Sequence, residues 1–132
     1  MRYYTKIVSF EIAKRLKKLG YTKDHGYQYS EDGNLCDPAA PGGHSGICEA
    51  PIYAEVFDWL IEKDIEVDLS IENFGKPYSW TWVVQCVGSR WKDRINSKKS
   101  PMMTTEEVFE DFSECANIAI SVALDVLEED DL

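Results

Sequence analysis

Two cysteines and a histidine lie within one stretch rich in glycine and proline, and they have the residue types of a zinc site. Cys36, His44 and Cys48 follow the spacing C-x7-H-x3-C, and His25 would supply a fourth ligand. Structural zinc takes four thiolate or imidazole ligands, so a bound ion would hold this stretch in place. The spacing lacks the C-x2-C pair that makes a zinc prediction strong. We therefore expect no cofactor, with zinc as the alternative to a surface loop that carries free thiols.

Nucleophilic catalysis by a cysteine and a histidine is the second chemistry that these residues suggest. His44 and Cys48 are close in sequence, but they lie in a glycine-rich stretch without a residue to orient the base. Catalysis needs groups held on rigid elements, and Cys86 and Cys115 fall on apolar faces as inert, buried thiols. The chain has no phosphate-binding glycine loop and no HExxH or GxSxG motif. We predict no catalytic residue and a protein that is not an enzyme.

Aromatic and basic residues in the second half of the chain form a candidate binding surface. Trp80 and Trp82 could stack on nucleotide bases or a flat small molecule, and the segment 90–99 adds Arg90, Trp91 and Arg94. The same tryptophans are also what the core of a small sheet requires. A small-molecule or single-stranded nucleic-acid binder is therefore the alternative function, and the chain's acidity weakens its nucleic-acid form.

The charge of the chain is concentrated at its C-terminal end. The net charge is −10, and residues 100–132 hold ten acids and no lysine, arginine or histidine, so the other residues sum to zero. A negative field disfavours nucleic acid and favours a basic protein partner or the basic segment 90–99 of a second copy. The alternative is a solvated helix face, which is the usual role of a charge run.

The location that we expect for this chain is the cytoplasm. The first residues lack the apolar run of a signal peptide, and no stretch approaches the roughly 20 apolar residues of a membrane span. We expect a cytoplasmic protein without membrane association, whose cysteines are reduced.

Periodicity predicts the elements that would position these residues. Helical spacing of apolar residues predicts helices over residues 9–19, 52–63 and 104–127. Thr104 and Glu107 form a capping box for the last one, and its core stripe is Val108, Phe112, Cys115, Ala119, Val122 and Val126. Alternation predicts a β-hairpin, 65–72 with 78–87, and a short strand near 26–30.

The predicted fold class is α+β. A small antiparallel sheet, formed by the hairpin and the possible short strand, packs against three helices. The whole chain, 1–132, is expected to form one domain with a flexible loop at about 31–50, since that stretch has a loop composition.

Three segments of the chain resemble small uncharacterised proteins of phages, prophages and mobile elements of gut bacteria. They are the opening from Ile7 to Tyr21, the segment from Glu49 to Leu60, and the closing helix from Thr105 to Leu124. The loop from Cys36 to Cys48 departs from the family pattern, so the resemblance implies no shared metal site. It implies an accessory protein of a mobile element and carries over no functional residue. The function that we expect is a non-enzymatic protein-interaction module.

Overall fold

A computed structural model describes residues 6–22, 26–37, 46–72, 79–87, 102–104 and 109–130. The chain divides into two compact units, Met1–Val56 and Phe57–Leu132, and the expectation of a single domain stays a prediction. Within the described residues there are three helices and two antiparallel sheets of three strands each, which confirms the α+β class. The helices are α1 Phe10–Lys18, α2 Tyr53–Glu62 and α3 Phe112–Asp130; the strands are β1 Gln28–Tyr29, β2 Leu35–Cys36, β3 Cys48–Glu49, β4 Ile65–Glu72, β5 Ser79–Cys86 and β6 Met102–Thr104.

Helix α1 begins and ends with the local signals that its sequence carries. The Ser9 hydroxyl accepts from the Ile12 backbone N–H at 3.3 Å, so it satisfies one free donor of the first turn. At the other end Gly20 adopts a φ of +95°, which glycine accepts without a steric penalty. The Tyr21 backbone N–H then donates back to the Leu16 carbonyl at 2.9 Å. The predicted helix at 9–19 is confirmed.

The first sheet has the strand order β2-β1-β3, with both outer strands antiparallel to β1. Strand β1 lies where the short strand near 26–30 was predicted. Strands β2 and β3 come from the stretch predicted as a loop, and residues 38–45 of that stretch lie outside the described part. The residue before β3 has to be glycine: a Cβ at Gly46 would lie 2.4 Å from the Tyr29 carbonyl oxygen. Only glycine permits this close approach to β1.

The second sheet has the order β4-β5-β6. The register runs from Ile65↔Cys86 to Glu72↔Ser79, as the predicted hairpin requires. Strand β6 adds to β5 through pairs that include Val83↔Thr104. Helix α3 packs on β4 and β5, and the Trp80 and Phe112 rings meet edge-on at 5.0 Å between centroids. The core of the second unit therefore lies between this helix and the tryptophan face of β5.

The predicted start of the last helix at Thr104 is wrong. Thr104 belongs to β6, and Phe109 exchanges two backbone hydrogen bonds with Trp80, at 2.7 and 2.9 Å. Helix α3 starts at Phe112 instead, where the Asp111 carboxylate accepts from the Glu114 backbone N–H at 3.3 Å. Pairing of β6 and of Phe109 with β5 satisfies several backbone groups, and it outcompetes a capping box that satisfies two.

The core stripe of α3 also differs from the predicted one. Phe112, Cys115, Ala119 and Val126 are buried as expected, whereas Val108 lies outside the described residues. Val122 is only partly buried. Two residues that the predicted stripe lacked, Ile120 and Leu124, are fully buried and face the core.

Candidate functional site

The structure places the two cysteines of the predicted zinc site on opposite faces of the first sheet. Gln28 lies opposite Cys36, and its neighbour Tyr29 lies opposite Cys48. Successive residues of a strand face opposite sides of the sheet, so the two thiols do as well, with β1 between them. On this register one ion would meet only one of the two thiols.

The described residues contain no cluster of three or more histidine, cysteine or acidic side chains that could hold a metal ion. His44 lies outside the described part, as does His25, so the zinc site stays a prediction. All four cysteines are free thiols. Burial, with a smaller contribution from the charge of Glu114, raises the pKa of Cys115 to about 12, which makes this thiol a poor nucleophile.

Trp80 and Trp82 lie in the core of the second unit. These residues are 4% and 7% exposed, and they lie on the face of β5 that α3 covers. A buried indole cannot stack on a base or a flat ligand, so these two residues do not provide the exposed aromatic surface of the alternative function. Arg90, Trp91 and Arg94 lie outside the described residues, and their binding role stays a prediction.

The open edge of β4 is the feature of the second unit that points to binding. Strand β4 is an outer strand of its sheet. The Val87 backbone N–H donates to the Asp64 carbonyl at 2.8 Å, which makes 64↔87 a hydrogen-bonded pair. Such pairs alternate along an antiparallel ladder, so Glu66, Asp68 and Ser70 also bond to β5. The hydrogen bonds between Trp80 and Phe109 support this alternation, because they require the backbone N–H and C=O of Trp80 to point away from β4.

It follows that the backbone N–H and C=O groups of Ile65, Val67, Leu69 and Ile71 point away from β5. Ile65 is fully buried, whereas Val67 and Leu69 are half-buried and Ile71 is 56% exposed. Among the described residues, none pairs with this side of the strand between Val67 and Ile71. This segment can therefore accept a further strand.

Two carboxylates lie beside this open edge on the face of the sheet away from α3. Glu66 and Asp68 are two residues apart on β4 and so share one face. The charge of Asp68, followed by a hydrogen bond to it and slight burial, raises the pKa of Glu66. The shift reports mutual repulsion, which a cationic group placed between the two carboxylates would relieve.

The first unit contains a cavity of about 410 Å³. The end of α1 lines one side with Lys17, Tyr21 and Thr22, and the first sheet lines the other with Gln28, Gly46, Ile47, Cys48 and Glu49. Burial, the largest cause, and the charge of Glu49 raise the pKa of Cys48, while the nearby lysines lower it by less. This net rise disfavours the thiolate that nucleophilic catalysis by Cys48 would need.

The acidic face of α3 is at the surface. Glu110, Asp111, Glu114, Asp125, Glu128 and Glu129 are exposed at or beside this helix. Exposure agrees with both predicted roles, a solvated face and a surface for a basic partner.

Comparison with known proteins finds no relative of this chain. Protein-family models, curated proteins and solved structures were all searched, and none of them matches the chain. A separate finding concerns membranes: among the described residues, no helix combines the length and the apolar character that crossing a bilayer requires.

Sequence reasoning missed both the open edge of β4 and the cavity. The alternation of acids with apolar residues in β4 was a usable signal for a half-exposed strand, but it does not tell which side of the strand is paired. The cavity left no pattern, because Gln28 and Glu49 are separated by 21 positions.

Proposed function

We propose that this chain is a non-enzymatic accessory protein of a phage or another mobile element, and that it acts in the cytoplasm by binding another protein. The observation that supports this proposal is the open edge of β4. An extended segment of the partner that adds to this edge would bond the outward backbone groups of Val67, Leu69 and Ile71, which is an established mode of peptide recognition. The mobile-element context rests on the resemblance of the three sequence segments.

Charge favours a basic partner segment. Lysine or arginine at every second position of an added strand would lie on the same face as Glu66 and Asp68 and would relieve their repulsion. A second copy of β4 in the same place would instead set like charges against each other, which disfavours pairing of two such edges. The net charge of −10 would also attract a basic segment from a distance.

Titration with a short peptide that alternates lysine with threonine tests this proposal. The control peptide has the same composition with its lysines in one block, so it has equal charge but no strand periodicity. We expect saturable binding of the first peptide, at least tenfold tighter than that of the second, in calorimetry at low salt. Binding should also slow hydrogen exchange at the amides of Val67, Leu69 and Ile71, which would be hydrogen-bonded only in the complex.

Two matched variants separate the edge from charge alone. Glu66→Gln with Asp68→Asn should weaken binding at least tenfold, or about 1.4 kcal/mol. The control, Glu62→Gln with Asp58→Asn, removes the same charge from exposed positions of α2 and should change affinity less than twofold. Equal binding of both peptides, equal effects of both double variants, or tighter binding of single-stranded DNA would each contradict the proposal. Sedimentation of the free protein as a salt-sensitive dimer would assign the edge to self-association instead.

A further inference from the structure

We infer that the partner segment that adds to β4 is amphipathic: its basic residues alternate with apolar residues, and the apolar side chains extend the core at this edge of the second sheet. This inference rests on the proposed function and names the chemistry of the partner on the face of the sheet that α3 covers. The observation that carries it is a row of apolar side chains on β4 that the fold leaves partly uncovered.

The apolar side chains of β4 share a face with the buried tryptophans of β5. Directly opposite residues of an antiparallel pair lie on one face, and Leu69 pairs with Trp82 while Ile71 pairs with Trp80. The Trp80 ring meets the Phe112 ring of α3, so this face is the one that the helix covers. Every second side chain of a strand added to β4 would lie on this face as well.

Coverage of this face decreases from β5 to the open edge. The β5 side chains that face α3 are buried. Across the ladder on β4, Val67 and Leu69 are half-buried, and Ile71 is 56% exposed although Trp80, directly opposite it, is 4% exposed. Apolar surface beside unpaired backbone groups gains in free energy when a neighbouring strand covers it with apolar side chains. The partner residues opposite these three side chains should therefore be valine, isoleucine or leucine.

The other face of the sheet determines the intervening positions. Partner residues opposite Glu66 and Asp68 would lie on the face away from α3, where a lysine or arginine meets two carboxylates. A segment with apolar residues at one parity and basic residues at the other satisfies both faces in one register. A slip by one residue would set the apolar side chains against the carboxylates, so the alternation also fixes the register. A second copy of β4 matches the apolar face but opposes acid to acid, which disfavours it as the occupant.

Three peptides of equal length and charge test this inference on the unaltered chain. One alternates lysine with valine and one alternates lysine with threonine, so both favour strands and they differ in the apolar surface that they offer. The third has the lysines and valines in two separate blocks. We expect the lysine–valine peptide to bind at least tenfold more tightly than the lysine–threonine peptide, and the block peptide to bind most weakly. The measurement is calorimetry at concentrations where each peptide alone sediments as a monomer.

The outcomes distinguish this inference from the proposed function. Equal affinity for the valine and threonine peptides would overturn the inference and leave the proposed function standing, because backbone pairing and charge would then account for binding. Tightest binding of the block peptide would also overturn it, since adhesion without periodicity needs no strand. Binding of none of the three peptides would contradict the proposed function together with this inference.

A matched pair of variants locates the apolar contact. Ile71→Thr keeps a β-branched residue on β4 and should reduce the preference for the valine peptide over the threonine peptide at least threefold. The control, Ile61→Thr, alters an isoleucine of similar exposure, 50%, on α2 in the same unit and should leave this preference unchanged. Both side chains are exposed, so we expect both variants to fold, which far-ultraviolet circular dichroism checks. Equal effects of the two substitutions would overturn the assignment of the contact to the edge of β4.

Discussion

Proline at two neighbouring positions of β4 should have very different effects on stability, because the two N–H groups point to opposite sides of the strand. The Ser70 N–H points to Thr81 of β5, whereas the Ile71 N–H points to the open edge. Both side chains are exposed, so neither substitution removes much packing. Ser70→Pro removes a hydrogen bond between β4 and β5 and places the proline ring against β5. We expect it to lower the free energy of unfolding by about 3 kcal/mol, which is the cost of a proline inside a helix. Ile71→Pro loses no such bond and should cost less than about 1 kcal/mol.

Urea unfolding followed by far-ultraviolet circular dichroism measures this difference. We expect the midpoint of Ser70→Pro to fall well below that of the wild type, with the midpoint of Ile71→Pro close to it and the slope unchanged. Ile71→Pro should also weaken the proposed peptide binding, because it removes one donor of the open edge. Equal destabilisation by both substitutions, or a larger loss for Ile71→Pro, would refute the assignment of the outward-pointing residues.

Three further predictions concern the second unit. Leu124→Ala should reduce the free energy of unfolding by about 3 kcal/mol and Val122→Ala by less than about 1 kcal/mol, since only Leu124 is fully buried; equal losses in chemical denaturation would restore the predicted stripe. Cys115, buried and with a pKa of about 12, should react with a thiol reagent at pH 8 only after unfolding, and reaction in the native protein would contradict its burial. Because Asp68 raises the pKa of Glu66 above 4.5, the native state holds more protons than the unfolded one just above that pH, and stability falls as pH rises through this window. Glu66→Gln should therefore be the more stable protein at pH 7, by less than about 1 kcal/mol for so exposed a pair, and should lose that advantage at pH 4 in urea titrations.

The parts of the fold that the sequence predicted are those set by neighbouring residues. Ser9 and Gly20 mark the ends of α1 by interactions within one helical turn. The strict alternation from Ile65 onward specifies which face of β4 is buried, and it excludes a one-residue slip against β5, because such a slip would expose that face.

The parts that could not be predicted depend on contacts between distant segments. Thr104 carries a capping-box signal, but its pairing with Val83 over 21 positions decides its conformation. In α3 nearly every residue from Ala119 to Leu124 is apolar, so several stripes fit the same segment. Packing against β4 and β5, which periodicity does not contain, selects the one that buries Leu124.

The candidate sites follow the same division. The acids beside the open edge of β4 were visible as an alternating pattern, but the direction of each backbone N–H requires the hydrogen-bonding partners. The cavity of the first unit depends on pairing across the sheet, where Gln28 lies opposite Glu49, and on a glycine whose role appears only from its distance to Tyr29.

The division of the chain at Val56 also separates its chromophores. All four tryptophans follow this residue, whereas six of the seven tyrosines precede it. Indole emission therefore reports on one half of the molecule, and the ring resonances of the tyrosines in an NMR spectrum report mainly on the other. A single unlabelled sample, heated once and followed by both signals, reveals whether the two halves melt together or in turn.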